Sequence, residues 1–214
     1  MSMARIIAGL AARTYAQNIG LGSKNQFGLG LPLPPGSALG DFCVIVSAVP
    51  ATISTSGGAA WPVIGPTAFH RVYYRQLTAP DLVPGAIVQN TNATAAWGVW
   101  RGPLQISAQR SSLTWTTPNP NSAPGFTKSL NAQVIIGFGD GANIGGGVNT
   151  APSFIVKGSG GQFDNAVQGV NTAGSEGVGM GEIHLIDSYV NGTAFPVTSL
   201  NANTKTTEYY ELLG

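Results

Sequence analysis

Thirty glycines and fourteen prolines punctuate this 214-residue chain so closely that, after residue 20, no stretch sustains helical periodicity. Between the breaks lie short apolar runs, β-branched or aromatic and bounded by turn residues, which read as strands. The spacing predicts strands over 42–49, 69–75, 86–89, 94–101, 104–108, 112–116, 131–138, 153–157, 181–190, 193–198 and 206–212. Turns every 8–15 residues suit an all-β fold rather than an alternating α/β one. The expected fold class is a jelly-roll-like antiparallel β-sandwich with an extended N-terminal arm.

Two runs give more than a strand assignment. Residues 42–49 are apolar at both alternating positions, as in a strand covered on both faces. In 94–101, Trp97 and Trp100 differ by an odd number of positions, so they point to opposite faces. Asn191-Gly192 is the strongest short hairpin signal, joining 183–190 to 193–198. The glycine cluster at 137–147 reads as a turn from Gly139 onward, and 116–125, with three prolines, as a loop.

The first forty residues differ in character. Residues 28–36, Gly-Leu-Gly-Leu-Pro-Leu-Pro-Pro-Gly, suit neither a helix nor a central strand. Their leucines call for an apolar surface to lie on. This divides the chain into an N-terminal arm or connector, 1–40, and a β-sandwich, 41–214. Ile6, Leu10, Leu29, Leu31 and Leu33 are the expected assembly contacts of the arm. Arg5 precedes a seven-residue apolar run that Arg13 ends, at the short limit for a signal peptide and without a good cleavage site.

Charge narrows the function classes. Only 9% of residues are Asp, Glu, Lys or Arg, but 43% are hydrophobic, a balance unlike that of a disordered chain or a coiled coil. A net charge of +1 without a basic cluster argues against nucleic-acid binding. No apolar run reaches the ~18 residues of a membrane span, so no membrane insertion is expected. The lone Cys43 sits in an apolar run and reads as a buried small hydrophobe. The charge shortage is uneven: residues 25–40 carry none, and Lys128 is the one charge between Arg110 and Asp140.

Chemistry-bearing patterns are sparse. His70 and His184 each fall inside an expected strand, without a second ligand at metal spacing, and read as structural or solvent-facing. The glycine cluster has neither the dinucleotide nor the phosphate-loop spacing. Nine carboxylates are scattered with no pair singled out, and there is no Gly-x-Ser-x-Gly elbow. No catalytic residue, metal or cofactor is therefore assigned. Trp61, Trp100 and Trp115 are the candidate ligand-facing aromatics for stacking on sugar rings, with 51–66 and 116–127 as the candidate loops.

Gly40-Asp41 before an apolar strand, Trp61-Pro62, Tyr73-Tyr74-Arg75, and Trp97 through Arg101-Gly102 together resemble tailed-bacteriophage and prophage virion structural proteins. The resemblance covers residues 40–103 and its motifs are strand starts and turns. It implies a jelly-roll-like sandwich in a tail, fibre or capsid decoration, located in the virion, with no catalytic residues. On that basis the chain is expected to be non-enzymatic and to assemble as a symmetric oligomer on the tail. Its expected partners are itself and other virion proteins, with a host-surface glycan as a further candidate. The alternatives are a capsid decoration protein or a receptor- or glycan-binding module, with a glycosidase behind them.

Overall fold

A computed structural model describes residues 16–25, 29–48, 51–56, 58–64, 70–116, 121–142, 152–170, 176–198 and 204–214. Sixteen strands occur among them. The first eight are β1 (Gln17–Lys24), β2 (Phe42–Ala48), β3 (Ile53–Thr55), β4 (Val63–Ile64), β5 (His70–Gln76), β6 (Ile87–Gln89), β7 (Ala95–Arg101) and β8 (Gln105–Ile106). The others are β9 (Ser111–Trp115), β10 (Asn121–Ala123), β11 (Ala132–Ala142), β12 (Ser153–Phe154), β13 (Asn165–Val170), β14 (Glu176–Ile183), β15 (Phe195–Thr198) and β16 (Lys205–Leu213). Three short 3-10 turns are the helical elements, and no helix among the described residues is long and apolar enough to cross a membrane.

Two antiparallel sheets form the sandwich. The first runs β1-β7-β2-β5-β4; the second runs β13-β14-β11-β16-β8, with β9 also on β16. Between them lies an apolar layer built from every second residue of each central strand. Phe42, Val44, Val46 and Ala48 of β2 meet Val134, Ile136 and Phe138 of β11 and Tyr210 and Leu212 of β16. The outer faces are covered too. The ribbon β3-β6, Trp61 and Leu31 close a second core over Cys43, Ile45, Trp97 and Val99. A small sheet, β10-β15-β12, lies over the far side of the second sheet, with Phe154, Phe163, Phe195 and Tyr209 in the contact. The expected antiparallel all-β sandwich is thus what the chain forms. The two-sided burial of β2 and the opposed tryptophans follow from these covers.

Glycines make the outermost layer possible. Gly137 and Gly139 of β11 and Gly179 and Gly181 of β14 lie under β12. A Cβ on Gly137 would stand 2.7 Å from the Phe154 ring, and one on Gly181 2.7 Å from Phe154 Cβ. The turn expected from Gly139 onward is therefore corrected: β11 continues to Ala142, since these glycines serve close layer contact rather than reversal. Positions 143–147 of that cluster lie outside the described residues.

Four other expectations change. Asn191-Gly192 forms a turn but no hairpin, because β14 ends at Ile183 and 186–188 coil into a 3-10 turn that buries Ile186. Tyr189 is buried as well, and β15 pairs with β10 and β12 instead. The loop expected over 116–125 contains β10, and the strand expected over 153–157 stops at Phe154. The segment before residue 40 is not separate from the sandwich. Residues 17–24 are an edge strand on β7, and Leu31 is buried, its N–H donating to Ile87 O at 2.9 Å.

Candidate functional site

The three candidate ligand-facing tryptophans are all buried, so none presents a stacking surface. Trp61 is 2% exposed, donates to Thr55 Oγ1 at 3.2 Å, and has the Arg75 guanidinium 5.3 Å over its ring. Trp115 is 6% exposed, within the outer core of the second sheet. Trp100 is fully buried between the sheets. Large aromatic surface gains most by leaving water, and this chain had cores on three levels to receive it.

Of the arm residues, Ile6 and Leu10 lie outside the described residues. Leu31 and Leu33 pack on the chain's own ribbon core, so their expected role as contacts for other subunits is corrected to internal packing. Leu29 alone of the described three is exposed. Cys43 is buried, and loss of solvation, with the Asp81 charge adding to it, pushes its thiol pKa up, away from reactivity.

Polar chemistry is concentrated inside, at the two ends of the layer between the sheets. At one end His70, on β5, projects from the first sheet between two carboxylates of the second. Its Nδ1 stands 3.2 Å from Asp140 Oδ1 on β11, and its Nε2 3.0 Å from Glu208 Oε2 on β16. The ring is fully buried. Glu208 also accepts from Tyr210 Oη at 3.2 Å and Gln109 Nε2 at 3.1 Å. Apart from His70, no described residue hydrogen-bonds either Asp140 oxygen, so the ring charge is its compensation. Tyr210 is held protonated, its pKa raised by burial and by the Glu208 charge.

At the other end Glu182, on β14, is also fully buried. It accepts from Trp100 Nε1 at 2.6 Å on β7, from Asn165 Nδ2 at 2.7 Å on β13, and from Asn18 Nδ2 on β1. One carboxylate so joins four strands of both sheets. A bulge between Asn18 and Gly20 in β1 re-aims the strand at this point. His184 flanks the cluster, 3.4 Å from Glu182 and 3.6 Å from Asp164. An open cleft of about 520 Å³ runs beside it, lined by Asn18, Asp164, Asn165 and Val167. Asp164 is bound to Lys157 Nζ at 2.5 Å and to Leu185 N at 3.0 Å, so the cluster's polar groups are turned on one another.

In chemical terms both assemblies are cross-links. Buried charge persists only when paired and hydrogen-bonded, and here each assembly includes partners from the opposite sheet: Trp100 and Asn18 for Glu182, His70 for Asp140 and Glu208. His70 is fully buried and has both ring nitrogens facing carboxylates. Among the described residues no set of three His, Cys, Asp or Glu side chains is arranged to hold a metal ion. Sequence reasoning left His70, Asp140, Glu182 and Glu208 unassigned. The available signal was parity: each shares its strand face with core residues (Val72, Phe138, Met180 and Tyr210, respectively).

No family model, curated protein or solved structure matches the chain. What the chain does is therefore argued from its own surfaces and interior.

Proposed function

We propose that this chain is a non-enzymatic structural protein of a tailed-bacteriophage virion, assembling as a symmetric oligomer in the tail region. The observation that carries the reading is large apolar surface along uncharged segments. Residues 25–40 and 82–100 hold no charge, and on them Leu39 is 69% exposed and Val83 59%. Leu39 lines an open groove with Gln76 and Pro103. Across the sandwich, on the side of the small sheet, Leu130 is 89% exposed and Val190 69%. Their segments are joined through Lys128, which donates to Ile186 O and to Tyr189 O. Exposed large apolar side chains on a chain with only 9% charged residues and a net charge of +1 favour self-association.

The resemblance of residues 40–103 to virion proteins supports the same reading. The receptor- or glycan-binding alternative loses its aromatic platform, because Trp61, Trp100 and Trp115 are interior.

Sedimentation velocity on the full chain at about 10–100 μM tests the assembly. A discrete oligomer is expected, and a monomer throughout that range overturns the reading. The double variant Leu39→Lys, Val83→Lys is expected to shift the population toward monomer with an unchanged far-UV spectrum, since both side chains are at the surface. Mass spectrometry of gradient-purified particles from cells making the chain tests the location; its absence from the particles sinks the virion assignment.

A further inference from the structure

We propose that His70 is a proton-controlled latch between the two large sheets, closed as an imidazolium and loosened when the ring becomes neutral. The geometry requires the charged form. Both ring nitrogens face carboxylate oxygens, at 3.2 Å and 3.0 Å, from opposite sides. A neutral imidazole has one N–H and turns a lone pair on the second carboxylate. With the ring and Asp140 buried from solvent that contact is repulsive, so the ring binds its second proton tightly.

Among the described residues β11 supplies Asp140, and β16 supplies Glu208 with Tyr210 behind it. Gln109 reaches Glu208 from the segment before β9, and β2 places Ala48 beside His70. Burial alone favours the neutral ring, but the hydrogen bonds and charges of Asp140 and Glu208 outweigh it and hold the pKa at about 9. An unfolded histidine titrates near ~6.5. The latch therefore contributes fully below pH ~6.5, and its contribution falls as pH rises toward about 9.

Its release has a direction. Asp140 has no hydrogen bond from another described residue, whereas Glu208 keeps Tyr210 and Gln109. The neutral ring is therefore expected to hold its proton on Nδ1, toward Asp140. The contact to Glu208 is the one lost, and the seam that opens is between β5 and β16.

The test begins with imidazole nitrogen NMR on the full chain, which has two histidines; a His184→Gln variant assigns the signals. His70 is expected to be doubly protonated at pH 7.5 with a midpoint near 9. A neutral ring at pH 7.5 overturns the proposal. Asp140→Asn is expected to lower that midpoint, and an unmoved midpoint also overturns it. Chemical denaturation then compares the chain with His70→Gln between pH 6.5 and 9.5. The folding equilibrium constant of the unmodified chain is expected to fall by about two orders of magnitude more than that of the variant. Parallel pH profiles would show that the ring does not control the seam. If His70→Gln fails to fold, the two NMR titrations decide the matter alone.

Discussion

Trp100→Ala is expected to remove about 5 kcal/mol of stability, enough to unfold an ordinary domain. Two losses combine. The indole leaves a large void in the layer between the sheets, where it is fully buried. Glu182 also loses the Nε1 donor at 2.6 Å and remains a buried carboxylate with fewer partners. Trp100→Phe separates the two: most of the volume stays, the hydrogen bond goes, and about 2 kcal/mol should be lost.

Trp97 provides the internal comparison. It is buried on the opposite face of the same strand, with an Nε1 that has no hydrogen-bond partner among the described residues. Trp97→Phe should therefore cost about 1 kcal/mol, the packing change alone. Urea titrations followed by far-UV circular dichroism measure all three. Equal losses for Trp97→Phe and Trp100→Phe would show that the Glu182 cross-link adds nothing.

The second large effect is expected at Gly179. A Cβ there would lie inside van der Waals distance of the Pro152 carbonyl oxygen, which is backbone and has no rotamer to yield. Gly179→Ala should cost about 3 kcal/mol, at the upper end of overpacking. For a chain of this length that lowers Tm by about 10 °C. The alanine control is Gly158, with nothing within 4 Å of its would-be Cβ and an ordinary backbone conformation. Gly158→Ala should leave Tm within about 2 °C. If Gly179→Ala melts with the control, the glycines of β11 and β14 are not there to admit the outer layer.

The glycine result shows why part of the fold was misread from sequence. A glycine has two structural meanings: freedom to reverse the chain, and absence of a side chain. Nothing local distinguishes them. At position 139 the neighbouring segments decide for absence, since Pro152 and Thr207 approach Gly139 closely. Asn191-Gly192 fails as a hairpin for a related reason. The turn itself is real, but Ile186 and Tyr189, three apart, are drawn into the outer core and coil the segment before it. By contrast β2, β5 and β7 were legible because alternation along a strand is a local property that both covers respect.

The candidate site was legible only in its parts. His70, Asp140 and Glu208 are separated by about seventy residues each along the chain, and nothing near any of them names its partners. The tryptophans were visible as large aromatics, but whether an aromatic faces water depends on what a second layer does above it. The third and fourth layers of this protein draw on segments that looked like connectors or loops, 29–37, 51–56, 58–61 and 121–123 among them.

By itself, then, the sequence determined the strand class, the two-sided burial of β2, the opposition of Trp97 and Trp100, and the uncharged surfaces. These follow from backbone sterics and side-chain period, which act over a few residues. Tertiary structure alone decided that glycines admit a layer, that the connector packs on its own chain, and that one histidine and three carboxylates cross-link the sheets. Those outcomes depend on strand register between segments far apart, and on the cost of burying a charge that must then find its partner across the core.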